Sequence, residues 1–263
     1  MTQSEYISLN KRISSSGYCS RREADKLIEQ GRVTVNESLA LPGARVLLSD
    51  KIYIDDELLK FSNPNKDNTF IIALNKPLQI TCTTDENDKT NVIRFLNHPK
   101  RIFPIGRLDK DSEGLLFLTN NGDIVNKILR AGNAHEKEYF VTVDKKIIPE
   151  FITKMSKGVR VLGTMTLPCK VRQVGSKTFN IILTQGLNRQ IRRMCEVLGY
   201  EVVSLKRIRI MHIKIGSLTT GKWRYLSEPE LNELMQQIEH SSNEANASSQ
   251  KHKPQKKRRN FNT

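Results

Sequence analysis

Cysteine is sparse in this chain. The four cysteines stand at 19, 82, 169 and 195, no two form a Cys-x-x-Cys pair, and the five histidines are scattered. A zinc site is therefore not expected, and isolated cysteines of this kind fit a reducing, cytoplasmic setting. No apolar run approaches the length of a membrane-spanning helix, and the N-terminus lacks the charged-then-apolar pattern of a signal peptide, so no membrane association is expected. Phosphate-cradling glycine loops and metal-ligand spacings are also missing. Acidic residues are in deficit: 28 Asp and Glu face 43 Lys and Arg, for a net charge of +15 and a pI near 9.7. With membranes set aside, a chain this basic points to nucleic acid. At 263 residues and 37% hydrophobic content it is long enough for two packed modules.

The charge divides the chain. Residues 1–60 are balanced, with nine basic and nine acidic residues. Within them Lys11, Arg12, Arg21, Arg22, Lys26 and Arg32 gather between Leu9 and Arg32. Ser20-x-x-Glu23 is a capping box that opens a helix with Ala24, Leu27 and Ile28 on its apolar face, and Gly31 suits the position after its end. Val33 and Val35 alternate with polar residues as in a half-buried strand, and short strands are expected around a Ser49-Asp50 turn. Arg21 and Arg22 oppose the dipole of the helix they begin, a conflict that an anionic partner would remove. Residues 61–69 are polar and read as a linker. Residues 70–240 mix strands (70–74, 115–118, 139–143, 179–183, 210–215) with helices (92–96, 124–129, 149–155, 190–198, 230–238), giving an α+β module. A second capping box, Ser227-Glu228-Pro229-Glu230, starts the last helix. Residues 241–263 carry Lys251, Lys253, Lys256, Lys257, Arg258 and Arg259 and are expected to be a disordered tail, either merely solvated or loosely attached to RNA.

The densest information lies in residues 106–123, Gly-Arg-Leu-Asp-Lys-Asp-Ser-Glu-Gly-Leu-Leu-Phe-Leu-Thr-Asn-Asn-Gly-Asp. A charged, turn-forming block runs into a short apolar strand and stops at a second turn, which places Asp109 on a loop entering a rigid element. Chemistry alone leaves two readings: a surface ion pair of Arg107 with Asp109, or a reactive carboxylate. Downstream, Arg189, Arg192 and Arg193 fall within five residues at a loop-to-helix transition.

The 106–123 block resembles the catalytic motif of the RNA pseudouridine synthases, in the branch that modifies ribosomal RNA and carries an N-terminal S4 domain. Cys19-Ser20-Arg21-Arg22-Glu23-Ala24 is similar to the S4 signature. The resemblance spans residues 7–238. It implies a small S4 RNA-binding domain (1–60), in which Lys11, Arg12, Arg21, Arg22 and Lys26 face phosphates. It also implies a catalytic domain (70–240) built on a bent, mainly antiparallel sheet crossed by a cleft. Asp109 would be the essential carboxylate and Arg192 its ion-pair partner, with Ile191 walling the pocket. Loss of one partner of such a buried pair would cost about 3–5 kcal/mol. Tyr139, in Glu136-Lys137-Glu138-Tyr139, would pack against the target uracil. Arg107 would fill the gap left by the flipped nucleotide. Lys76 in Asn75-Lys76-Pro77, together with Arg189 and Arg193, would touch phosphate or support the structure. The reaction has no redox or phosphoryl-transfer step, so no cofactor is expected.

Phe103-Pro104-Ile105-Gly106 and Asn126-Lys127-Ile128-Leu129-Arg130-Ala131-Gly132-Asn133 match members that act on the large ribosomal subunit, which implies a uridine of 23S rRNA. A small-subunit rRNA or tRNA-loop uridine is the first alternative, and a non-catalytic RNA-binding assembly factor the second. A monomer is expected.

Overall fold

The computed structural model describes residues 6–61 and 69–241; apart from Phe61, Thr69 and Ser241 at their ends, the linker and tail expectations lie outside these. The chain divides into two compact units, Met1–Thr69 and Phe70–Thr263. Among the described residues no helix is long and apolar enough to cross a membrane.

The first unit runs β1 (Ile7–Ser8), α1 (Leu9–Ser15), α2 (Arg21–Glu29), β2 (Val33–Val35), β3 (Ser38–Leu39), β4 (Arg45–Val46), β5 (Ile52–Ile54) and β6 (Glu57–Leu58). Ser20 and Glu23 form both arms of the capping box that begins α2. Two tight hairpins shape the small sheet β3-β2-β5-β6. Their central pairs, Asn36-Glu37 and Asp55-Asp56, all have positive φ, the conformation whose twist matches two-residue strand reversals. Leu9, Ile13, Ala24, Ile28, Val33, Ile52 and Ile54 close the core.

In the second unit the order is β7 (Ile71–Lys76), α3 (Val92–Leu96), β8 (Phe103–Ile105), β9 (Glu113–Thr119), α4 (Asp123–Leu129), β10 (Lys137–Val143) and α5 (Pro149–Lys157). It continues through β11 (Arg160–Val161), β12 (Thr164–Met165), β13 (Lys170–Gln173), β14 (Thr178–Leu183), α6 (Gln190–Val197), β15 (Val202–Ile210), β16 (Ile213–Lys214), β17 (Trp223–Tyr225) and α7 (Glu228–Glu239). One sheet runs β13-β14-β10-β15-β9-β7-β17, with β8 on β9 and β16 on β15. Every pairing is antiparallel except β15 with β9.

The apolar runs of β7 and β9 follow from burial on both faces. Ile71, Ala73, Leu115 and Phe117 enter one core with Ile124 and Leu234. Ile72, Leu74, Leu116 and Leu118 enter the opposite one with Val92 and Leu96. A strand covered on both sides has no solvent face and therefore no polar alternation. A third core, around Val141, Phe151, Phe179 and Met194, supports the β14-β10-β15 half.

The strand expected at 210–215 is corrected. The long strand is Val202–Ile210, and the chain turns at Met211, where φ is +52°, before the short β16. Lys206, Arg207 and Arg209 mask this strand in the sequence, because their partners lie elsewhere. Arg209 pairs with Glu136 and Glu138, both at 2.9 Å.

The parallel seam depends on Gly114. Its φ is +107°, and a Cβ there would land on the backbone of Arg207. Gly114→Ala is expected to destabilise the second unit by about 3 kcal/mol. The check is a urea unfolding curve, which should shift to a lower midpoint.

Candidate active site

Residues 106–112 link β8 to β9, and three sets of contacts hold them. Underneath lies the turn after β7. Lys76 is fully buried, and its ammonium donates to the carbonyls of Pro77 (2.8 Å) and Ile80 (2.9 Å). Burial lowers its pKa, with Asp111 and Asp109 among the acids that oppose the shift. The turn it closes is bonded to the loop, since the Gln79 amide donates to the Lys110 carbonyl at 2.8 Å. The second contact is the Leu108 amide, which donates to the buried Cys82 sulfur at 3.3 Å. Desolvation raises the Cys82 thiol, so it acts as a buried, neutral acceptor.

The third set comes from the start of α6. Arg189 donates to both oxygens of Asp111, at 3.0 and 2.9 Å, in the forked geometry that suits guanidinium and carboxylate. Arg192 donates to the Asp111 carbonyl (2.7 Å), to Ser112 Oγ (3.3 Å) and to the Val202 carbonyl (3.1 Å). It also stands 3.5 Å from the Asp111 carboxylate. The Arg189 guanidinium, aided by Arg192 and opposed by partial burial, holds the Asp111 carboxyl below its ordinary range. Arg189 itself has left-handed backbone, φ 49° and ψ 35°, an unusual state that its anchored side chain helps to maintain.

Asp109 lies on this frame with its side chain 36% exposed, and its carboxylate is 3.6 Å from Arg189. The expected pairing with Arg192 is thereby corrected: Arg192 is engaged by Asp111, Ser112 and Val202, and Arg189 is the neighbouring cation. The pair is also not deeply buried, so solvent screening reduces its worth from the anticipated 3–5 kcal/mol to about 1 kcal/mol or less. Asp111 is not among the residues expected from the sequence, although a second acid two positions after Asp109, in a chain with three clustered arginines at 189, 192 and 193, is the available signal.

The other expected residues fall into three groups. Arg107 is exposed, and among the described residues no hydrogen bond or ion pair reaches it. Tyr139 is half-buried on β10, where it packs against two cores. Its register partner on β15 is Arg207, and Arg207 in turn pairs with Gly114 at the end of the loop. Two strand spacings, about 10 Å, therefore separate the Tyr139 and Gly114 backbones, a gap on the scale of one nucleoside. Arg207 on β15 and Lys137 on β10 are both buried. Arg207 donates to the Leu115 carbonyl at 2.6 Å, and burial, aided by Arg207, lowers the Lys137 ammonium to about 8.

Ile191 belongs to the interior core with Met194. Of the two roles expected of Lys76, its buried position and carbonyl contacts leave the structural one and remove the phosphate contact, and Arg189 is occupied by the aspartates. Arg193 donates to Asn188, at 3.1 and 3.3 Å. In the first unit Arg21, Arg22 and Lys26 are exposed and Lys11 is half-exposed. Arg12 departs from expectation: its guanidinium stacks 3.6 Å from the Phe61 ring centre and donates to the Leu48 carbonyl at 3.0 Å. Its apolar neighbours draw it inward, away from a phosphate.

Residues 70–197 match the model of the RNA pseudouridylate synthase family, and residues 8–52 match the S4 domain. The chain is 55% identical over 238 residues to the dual-specificity RNA pseudouridine synthase RluF of Salmonella typhi, covering 90% of this chain and 81% of that protein. It is 33% identical over 245 residues to the ribosomal large subunit pseudouridine synthase B of Bacillus subtilis, covering 89% and 98%. A solved pseudouridylate synthase structure superposes with a TM-score of 0.63 at 28% identity, over 87% of this chain and 99% of that one.

Asp111→Asn is expected to loosen the loop and lower kcat by roughly 10- to 100-fold while leaving KM nearly unchanged. Because the folded pKa of Asp111 lies below its unfolded value, its stabilisation is present above about pH 4 and is lost as pH falls through the lower folded value. The stability gap between wild type and Asp111→Asn, measured by urea unfolding across pH, should therefore close in acid.

Proposed function

The chain belongs to the RNA pseudouridine synthase family and is an RNA pseudouridine synthase, and from that premise we propose that Asp109 is its essential carboxylate and a uridine of 23S rRNA its target. The observation that carries the assignment of Asp109 is its placement. It projects from a loop anchored at Gln79–Lys110, Cys82–Leu108 and Arg189/Arg192–Asp111, yet it is itself only loosely held. A fixed backbone with an accessible side chain suits a group that must meet a substrate.

The reaction breaks the N1–C1′ bond and forms a C5–C1′ bond, with C5 losing a proton and N1 gaining one. Product and substrate have the same composition, so neither oxidant nor reductant is consumed. Asp109 attacks the nucleoside or takes a sugar proton. Arg189 balances its charge, and Tyr139 presents a flat face to the extruded uracil. Arg107, exposed and uncommitted, enters the stack where the nucleotide left and offsets part of the flipping cost of a few kcal/mol.

The large-subunit relative from Bacillus subtilis supports a 23S target. The dual specificity named for the Salmonella typhi relative supports a second RNA substrate, for which a tRNA loop is our candidate. We place the protein in the cytoplasm with these RNAs, acting as a monomer. The S4 domain anchors the RNA through Arg21, Arg22 and Lys26 at α2, with Lys11 beside them.

Pseudouridine mapping of rRNA and tRNA from cells lacking the gene, complemented with wild type or Asp109→Asn, tests the assignment. Wild type should restore the mark and Asp109→Asn should leave it absent; full restoration by the variant would refute the role of Asp109. The S4 contact has its own measurement. Replacing Arg21 and Arg22 together by Ala should weaken RNA binding and reduce the slope of log K against log salt by about 2. An unaltered slope would remove the two arginines from the interface.

A further inference from the structure

Aromatic residues make up only 6% of the chain, yet four of them, Phe70, Phe95, Trp223 and Tyr225, meet at one edge of the large sheet. Strand β17 is the last strand on that side and carries Trp223 and Tyr225, 38% and 48% exposed. The two rings meet edge to face, with centroids 5.4 Å apart. Phe70 lies 5.3 Å from Tyr225, and His98 lies 5.9 Å from Trp223. The His98 ring nitrogen is hydrogen-bonded to the Tyr225 hydroxyl at 2.8 Å, so the tyrosine ring is held in one orientation. Phe95, 39% exposed, ends 3.7 Å from where a Cβ on Gly221 would stand. Among the described residues of the second unit, the exposed large aromatics are Phe95, Phe140, Trp223 and Tyr225. Three of these four share this edge.

An edge strand with exposed aromatic rings invites unwanted association unless it serves a partner. Charge indicates which partner. The Lys100 ammonium lies 5.6 Å from the Phe70 ring centre, and Lys222 is exposed beside Trp223. The nearby acid Glu230 is neutralised by Arg224, with contacts of 2.6 and 2.8 Å. Rings with adjacent cations that no ion pair engages among the described residues match unpaired bases and their phosphates. Trp223 and Tyr225 pair in register with Leu74 and Ile72, whose side chains enter the core that also receives Leu108 and Tyr139. The rings are therefore on the same sheet face as the Asp109 loop, and four strand spacings, about 19 Å, separate β17 from β10.

We propose that Trp223 and Tyr225, oriented by His98 and Phe70, form a stacking platform for single-stranded bases of the RNA substrate, with Lys100 and Lys222 receiving the neighbouring phosphates. This deepens the RNA-modifying function and rests on it only in taking RNA as the partner.

Trp223 is the single tryptophan of the chain, so its emission reports this edge alone. The probe is a twelve-residue oligoadenylate, which contains no uridine and cannot turn over, titrated into the full-length protein. Saturable quenching is expected from the single strand, and little from a duplex of the same length. By anisotropy of labelled oligoadenylate, Trp223→Ala should weaken binding roughly tenfold, whereas Trp223→Phe keeps most of the affinity. Unchanged emission throughout the titration, wild-type affinity in Trp223→Ala, or equal quenching by duplex would each overturn the platform. Asp109→Asn separates the two assignments: quenching should persist in that variant, and any product it still makes counts against the catalytic role without touching the platform.

Discussion

The Asp111 carboxylate is the constraint on which the site depends. Two arginines from the start of α6 converge on it and on the backbone beside it, joining residues 106–112 to a helix about eighty positions later in the chain. Arg192 is thereby spent on Asp111 and its surroundings, while Arg189 is shared and keeps one longer contact with Asp109 at 3.6 Å. The loop is fixed through the neighbour of Asp109, and the proposed reactive carboxylate retains its freedom to engage a ligand. An individual half-exposed ion pair contributes little to global stability. Its value here is positional: it sets where the loop stands, and the same guanidinium that grips Asp111 supplies charge next to Asp109.

That arrangement needs a stiff support, which the sheet provides. Strands β7 and β9 are packed on both faces, so neither can shift without disturbing two cores. The loop leaves β8 and enters β9 at Gly114, where a missing side chain lets β15 approach in parallel. β15 in turn brings Arg207 to the Leu115 carbonyl of β9 and Val202 to Arg192. The turn after β7, closed by Lys76, locks the loop through the Gln79–Lys110 bond. A buried lysine bonded only to carbonyls is costly to place. It is tolerated because both carbonyls would otherwise lose hydrogen bonds, and because Asp109 and Asp111 lie close enough to favour its charge.

Much of this was legible from local pattern. The two capping boxes, the short apolar strand at 115–118, the short helices and the α+β character all follow from interactions within a few residues. The loop bearing Asp109 was recognisable for the same reason, since its charges, glycines and following apolar run are contiguous. Strand β15 was not legible. Its lysine and arginines look like a solvated segment until Glu136 and Glu138 are brought beside Arg209. Assignment of the arginines failed similarly. Arg189 and Arg192 are three positions apart on one turn, and no spacing rule says which of them faces Asp109 and which Asp111. Lys76 and Arg12 look like phosphate ligands in one dimension, and only packing shows them turned inward.

By itself the sequence determined the composition of the two modules, the ends of their main helices, and the identity of a carboxylate on a turn entering a buried strand. Those features depend on hydrogen bonds and side-chain periodicities that close within one or two turns of chain. Tertiary structure alone decided which cation stands beside that carboxylate, which basic residues are spent on carbonyls and acids of the protein itself, and that Phe70, Phe95, His98, Trp223 and Tyr225 share one edge. These outcomes depend on contacts between residues tens of positions apart, whose geometry exists only after the sheet has closed around its cores.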